Sequence, residues 1–128
     1  MTLRRASAEP LDEGFTLIEL LIVVLILGVL AAIAVPTYLA VQQNAKDNSA
    51  KSAVAAADIA VMVYFTKNDT MPATLALAGV PPAEPSTYTL TFIPGAGDAF
   101  CLSGTYFGSS TTYRVTDSTA VGVGAPCT

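Results

Sequence analysis

The 128-residue chain is 52% hydrophobic and 12% charged, with a mean hydropathy of +0.56, which is too apolar for an ordinary soluble domain and places part of it in lipid. Its net charge of −4 and six scattered Lys and Arg exclude nucleic acid as the main partner, because phosphate binding needs a clustered basic surface. The lack of any His leaves no nucleophile and base to pair, and no spacing of acids or thiols suggests a metal or cofactor.

Met1 to Gly14 is short and polar, with Arg4 and Arg5 set against Glu9, Asp12 and Glu13. The arginines favour a cytoplasmic N-terminus, since positive charge sets topology and acids count for little. Leu20 to Val35 then runs without a polar side chain, and from Phe15 to Val41 only Thr16, Glu19, Thr37 and Tyr38 interrupt. Roughly 20 helical residues cross a hydrocarbon core, so this segment is long enough to span. The remaining length, about ninety residues, suffices for one small domain on the outer side. A secretory signal peptide is the rival reading, because Ala32-Ile33-Ala34 resembles an A-x-A cleavage site. Against it stand Glu19 inside the edge of the apolar run, the three acids before it, and a helical pattern that continues past the supposed cut. A twin-arginine signal does not fit, since Arg4-Arg5 leads into Ala6-Ser7-Ala8 rather than an apolar stretch.

Gly14-Phe15-Thr16-Leu17-Ile18-Glu19, followed by an apolar run containing Gly28, Pro36 and Tyr38, resembles the N-terminal signature of type IV prepilins and pseudopilins. The resemblance covers Glu13 to Tyr38. It implies a leader over residues 1–14, cut between Gly14 and Phe15 by a membrane-embedded prepilin peptidase that then methylates the new amino group of Phe15. Glycine at the cut suits a protease that holds the scissile backbone closely. Glu13, preceded by Asp12, stands directly before Gly14 where a basic residue is common in the family, leaving Arg4 and Arg5 as the leader's cations. The resemblance also implies partners: further copies of the chain in a filament, the peptidase, and a pilus assembly platform in the inner or cytoplasmic membrane driven by a separate ATPase.

Glu19 has a physical reading beside the family one. An ionised carboxylate in apolar surroundings carries a cost of several kcal/mol and takes up a proton or finds a cation. Cleavage makes the Phe15 amine a terminus, and in the family the acid is thought to attract that amine on a neighbouring subunit. An acid and an amine at one depth in adjacent helices neutralise each other, whereas a misregistered helix leaves both unpaired. The alternative is that Glu19 sits at headgroup level.

Beyond the transmembrane and polymerisation segment, residues 15–36, the pattern becomes amphipathic over 37–65. Ala50, Val54, Ala57, Val61 and Tyr64 share one helical face, and Asp47 and Lys51 are placed for an ion pair one turn apart. One helix from about Thr16 to Phe65 is expected, weakened at Gly28 and Pro36. That weakness either lets the helix yield during assembly or is an ordinary proline kink.

The turn-rich stretch 66–85 is a connecting loop, with a short helical turn near Leu75; Asn68-Asp69-Thr70 fits a glycosylation acceptor but is read as a turn. Over 86–128, Thr87 to Phe92 alternates with Tyr88, Leu90 and Phe92 on one face, and Ala99 to Tyr106 and Thr111 to Asp117 complete a three-stranded antiparallel meander. Cys101 and Cys127 lie in a part of the chain exposed to oxidising surroundings, so one disulfide is the economical reading. It would pin the glycine-rich tail Val121 to Pro126 across the sheet. In pilins such a tail is often exposed on the filament, which makes Thr116 to Ala125 the segment of surface identity.

The expected fold class is therefore α+β: a long N-terminal helix packed on a small antiparallel sheet of about three strands. The function implied is a structural subunit of a type IV pilus rather than an enzyme. Its alternatives are a pseudopilin or minor pilin of a type II secretion or DNA-uptake system, and a membrane-anchored binding domain that never polymerises.

Overall fold

The computed structural model describes residues 14–81 and 87–128. The leader apart from Gly14, including Arg4 and Arg5, and the Pro82–Pro85 part of the connecting loop lie outside the described residues. Among them the element order is one helix and four strands: α1 (Leu17–Asn68), β1 (Tyr88–Pro94), β2 (Phe100–Tyr106), β3 (Thr112–Thr116) and β4 (Thr119–Val123). The chain divides into two compact units, one ending at Tyr38 and the other running from Leu39 to Thr128, with α1 continuous through the boundary.

In the first unit, α1 carries large apolar side chains all round. From Phe15 to Val41 they are 49–84% exposed. A helix apolar on every face belongs in lipid or among other helices, and this one is long and apolar enough to cross a membrane. Pro36 lies inside the helix, where its missing N–H leaves one turn without a donor. The carbonyl deprived of its helical donor is that of Ala32, while the next residue, Thr37, turns its own hydroxyl back on the chain and donates to the carbonyls of Ile33 at 3.1 Å and Ala34 at 2.9 Å, so the hydroxyl needs no partner from lipid.

In the second unit, the expected face of α1 is the buried one: Ala50, Val54, Ala57 and Val61 are at most 1% exposed. Ala50 and Ala57 keep that face narrow, and Val54 and Ala57 meet Phe100, Leu102 and Val115 of the sheet to form the core. α1 ends at Asn68, where Asn68 Nδ2 donates to the Tyr64 carbonyl (2.9 Å) and Asp69 adopts φ 55°, a left-handed stop. A series of tight turns follows around Leu75, closed by the Val80 N–H on the Leu75 carbonyl (3.0 Å).

The sheet is an antiparallel meander in the order β1-β2-β3-β4, one strand more than the sequence pattern suggests. The glycine-containing Thr119–Val123 pairs with β3 instead of crossing the sheet, and only the last five residues form the tail. Tyr88, Leu90 and Phe92 turn inward while Thr89 and Thr91 are exposed, as their alternation implies. Gly104 of β2 stands where the helix comes closest: a Cβ there would lie 2.6 Å from Val54 Cγ2 and 2.8 Å from Leu90 Cδ2. Only glycine permits that approach.

Cys101 and Cys127 are disulfide-bonded, with Cα atoms 5.9 Å apart. The Cys127 N–H donates to the hydroxyl of Ser103, which is 2% exposed, so the tail covers the outer face of the middle strand. The helical pair expected between Asp47 and Lys51 is replaced by a longer-range tie. Asp47 Oδ1 accepts from the Ser109 hydroxyl at 2.6 Å and from Gln43 Nε2 at 3.2 Å, binding the β2–β3 turn to the helix. An oriented neutral donor on a packed loop outcompetes an exposed lysine, whose pairing is worth a few tenths of a kcal/mol.

Candidate functional site

Gly14, Phe15, Thr16 and Glu19 line a shallow concavity of about 460 Å³ at the head of α1. Thr16 is the residue before the first helical position. Its backbone N–H and its hydroxyl both donate to Glu19 Oε2, each at 2.9 Å, and the Glu19 N–H donates to the Thr16 hydroxyl oxygen at 3.3 Å. This is a capping box, in which the two side chains satisfy each other's orphan helix-end donors. The carboxylate is thereby held at the first turn, where the helix dipole favours negative charge. Both bonds fall on Oε2, and among the described residues none donates to Oε1.

The structure thus brings Phe15 and Glu19 to one place and adds Thr16, a residue the sequence reading passed over. The signal was present: Thr16-Leu17-Ile18-Glu19 fits the [ST]-x-x-[DE] pattern ahead of an apolar run. Gly28 lies nine residues beyond Glu19 on the same helix, roughly 13 Å along its axis. A Cβ at Gly28 would meet nothing within 4 Å, and the same holds at Gly14, so the folded chain requires glycine at neither position. Pro36 is likewise explained by no contact of its own. Cys101 and Cys127 belong to the sheet and take no part in this site. Among the described residues no three His, Cys, Asp or Glu cluster as metal ligands.

Residues 12–35 match the family described as the prokaryotic N-terminal methylation motif. The chain is similar to the type IV major pilin protein PilA of Myxococcus xanthus, 35% identical over 96 residues that cover 75% of this chain and 44% of that one. It is also similar to the type II secretion system core protein G of Klebsiella pneumoniae, 37% identical over 78 residues (58% and 56% of the two chains). A third relative is the type IV major pilin protein PilE1 of Neisseria gonorrhoeae, 38% identical over 78 residues (59% and 47%). The chain spans about half the length of these curated relatives. The methylation motif at its head, an exposed apolar helix behind it, a four-stranded antiparallel sheet and these relatives together support a place for the chain in the prepilin and pseudopilin family.

Proposed function

We propose that this chain is the structural subunit of a type IV pilus. A prepilin peptidase removes residues 1–14, Phe15 becomes the methylated N-terminus, and the subunit waits in the cytoplasmic membrane with its N-terminus inside. An assembly platform then draws it into a helical surface filament of identical copies. The observation that carries this reading is the combination at the head of α1: an apolar helix exposed on all faces, led by a carboxylate with one oxygen bonded to Thr16 and the other without a donor among the described residues.

The chemistry follows from that arrangement. Removing a charged carboxylate from water is costly unless a cation meets it. Thr16 remains an amide after the cut, so the capping box can persist in the mature chain with Oε2 as its acceptor. The Phe15 amine of an incoming copy supplies the cation. Only one axial register pairs amine and acid, and any other leaves both charges in apolar surroundings, so the pair selects register. Gly28 and Pro36, which the single chain does not need, give the helix a stretch able to unwind as copies pack.

The similarity to the core protein G of type II secretion supports a second reading, a pseudopilin that builds a short filament. Abundance of long surface fibres distinguishes the two. The reading is tested by replacing Glu19 with Ala and with Gln and weighing the filaments sheared from cells at equal membrane content of the subunit. Filament mass falls at least tenfold in both variants if the acid recruits the amine. Normal fibres from Glu19→Ala would overturn it.

A further inference from the structure

After Lys67 the chain has a single cation, Arg114, against four acids. Arg114 stands on β3 between Tyr113 and Val115, both of which face the core, so its side chain belongs to the sheet face opposite the helix. Its ladder partners are Ser103 and Gly122, and beside it the β3–β4 pairing is broken by a register shift between Arg114 and Thr116. Such irregularities bend a strand and re-aim its side chains.

The stem of Arg114 is not loose. A Cβ at Gly124 would fall 3.3 Å from its Cβ, 3.6 Å from its Cδ and 4.0 Å from its Cγ, so the stem lies along bare tail backbone. That backbone is fixed on one side by the Gly124 N–H donating to the Thr112 carbonyl (3.1 Å) and three residues on by the Cys101–Cys127 disulfide. The guanidinium therefore rides on an ordered stem, which lowers the entropy lost when it binds.

Arg114 opens onto a concavity of about 420 Å³ shared with Thr116, Ser118, Thr119, Gly122 and Gly124. The Thr116 hydroxyl is 2.6 Å from that of Thr119 and 3.4 Å from that of Ser118, giving a cluster of three groups that both donate and accept. Among the described residues no carboxylate lines it.

We propose that this concavity binds a carboxylate-bearing polysaccharide. A planar guanidinium matches a carboxylate through two parallel hydrogen bonds, three clustered hydroxyls match the hydroxyls that flank the acid on a sugar ring, and the glycines let the ring approach the backbone. Nucleic acid fits less well, because its affinity rises with the number of phosphates neutralised and this face offers one cation on a chain of net charge −4. One site per subunit binds weakly, and a filament repeating the site gains avidity on a repeating polymer. The monomeric site does not depend on polymerisation, so its test is separate from that of the pilus reading.

The test uses the full-length, disulfide-bonded chain in detergent micelles, titrated with oligogalacturonate, with neutral galactan oligomers of the same length, and with duplex DNA. The site predicts saturable binding of oligogalacturonate alone, weakened about tenfold or more by Arg114→Gln and less by Arg114→Lys. Thr116→Val, which leaves the charge in place, weakens it about threefold. Arg114 is exposed, so these variants keep the fold, and an intact Cys101–Cys127 bond with unchanged circular dichroism checks this. The proposal is overturned by undiminished binding to Arg114→Gln, by equal binding of the neutral oligomer, by tighter binding of DNA, or by no saturable binding at all. It is likewise overturned if Arg114→Glu alters self-association while oligogalacturonate binding stays as it was.

Discussion

Thr16 and Glu19 close a reciprocal ring of hydrogen bonds at the head of α1, with the carboxylate taking two donors from Thr16 and the Thr16 hydroxyl taking the Glu19 N–H. The ring predicts that Thr16 matters to Glu19 more than its size suggests. Thr16→Ala costs about 1 kcal/mol of local helix stability, and amide exchange over residues 16–20 speeds roughly fivefold by the same energy. Thr16→Ser keeps the oxygen and restores protection. Filament yield follows the same order, with Thr16→Ala impaired less than Glu19→Ala because the acid itself remains.

Gly104 and Val54 define the tightest contact between helix and sheet. Gly104→Ala forces Val54 or Leu90 aside and destabilises the chain by about 1–3 kcal/mol. Val54→Ala alone opens a cavity and is also destabilising, but the double variant loses less than the two singles added, since the new methyl occupies the vacated space. Thermal unfolding of the four proteins in detergent closes this cycle, and strict additivity would show that the contact is not shared.

The tail is held by a bond closing a loop of 26 residues in sequence separation. On the chain-entropy relation, its reduction, or Cys127→Ser, lowers stability by about 3–4 kcal/mol. The Ser103 hydroxyl loses the Cys127 N–H at the same time, so exchange protection falls first along β2 and the tail rather than in α1. Denaturant unfolding with and without reductant measures the difference.

Asp58 sits among the packed residues of α1 with Oδ1 buried, and among the described residues no group donates to it. Burial raises its carboxyl above the ordinary carboxylate value. A folded-state value above the unfolded one means that the folded chain holds the extra proton. The stability this confers is complete below the ordinary carboxylate pKa of 3.8 and is lost as pH rises through the raised value. Asp58→Asn removes the charge at nearly constant shape, so it stabilises the protein slightly at pH 7, solvent screening keeping the gain small, and flattens that part of the pH profile. Melting temperatures at pH 4 and pH 7 for both proteins give the sign directly.

Much of this architecture was legible in residue spacing. The Ala50-Val54-Ala57-Val61 face and the Tyr88-Leu90-Phe92 alternation named the buried surfaces, because burial imposes periods of 3.6 and 2. Two cysteines in the whole sequence left one economical pairing, and the structure has it. Thr119–Val123 was missed as a strand because Gly122 and the short Thr116–Thr119 turn read as tail, and its pairing with β3 comes from tertiary contact rather than intrinsic preference. The Asp47–Lys51 pair failed for a related reason: Ser109, 62 residues away, cannot be seen from local spacing. Glu19 was conspicuous as the one acid in an apolar run, whereas Thr16 was not, since a threonine at a helix start draws attention only when the residue three positions later is read with it.

The most direct measurement is intact and N-terminal mass spectrometry of the protein sheared from cell surfaces. Processing at the head of α1 predicts a chain beginning at Phe15 with one methyl group on its amine. A chain beginning at Val35 would show a secreted soluble domain, freed from the helix that carries Glu19, and would contradict assembly through that helix.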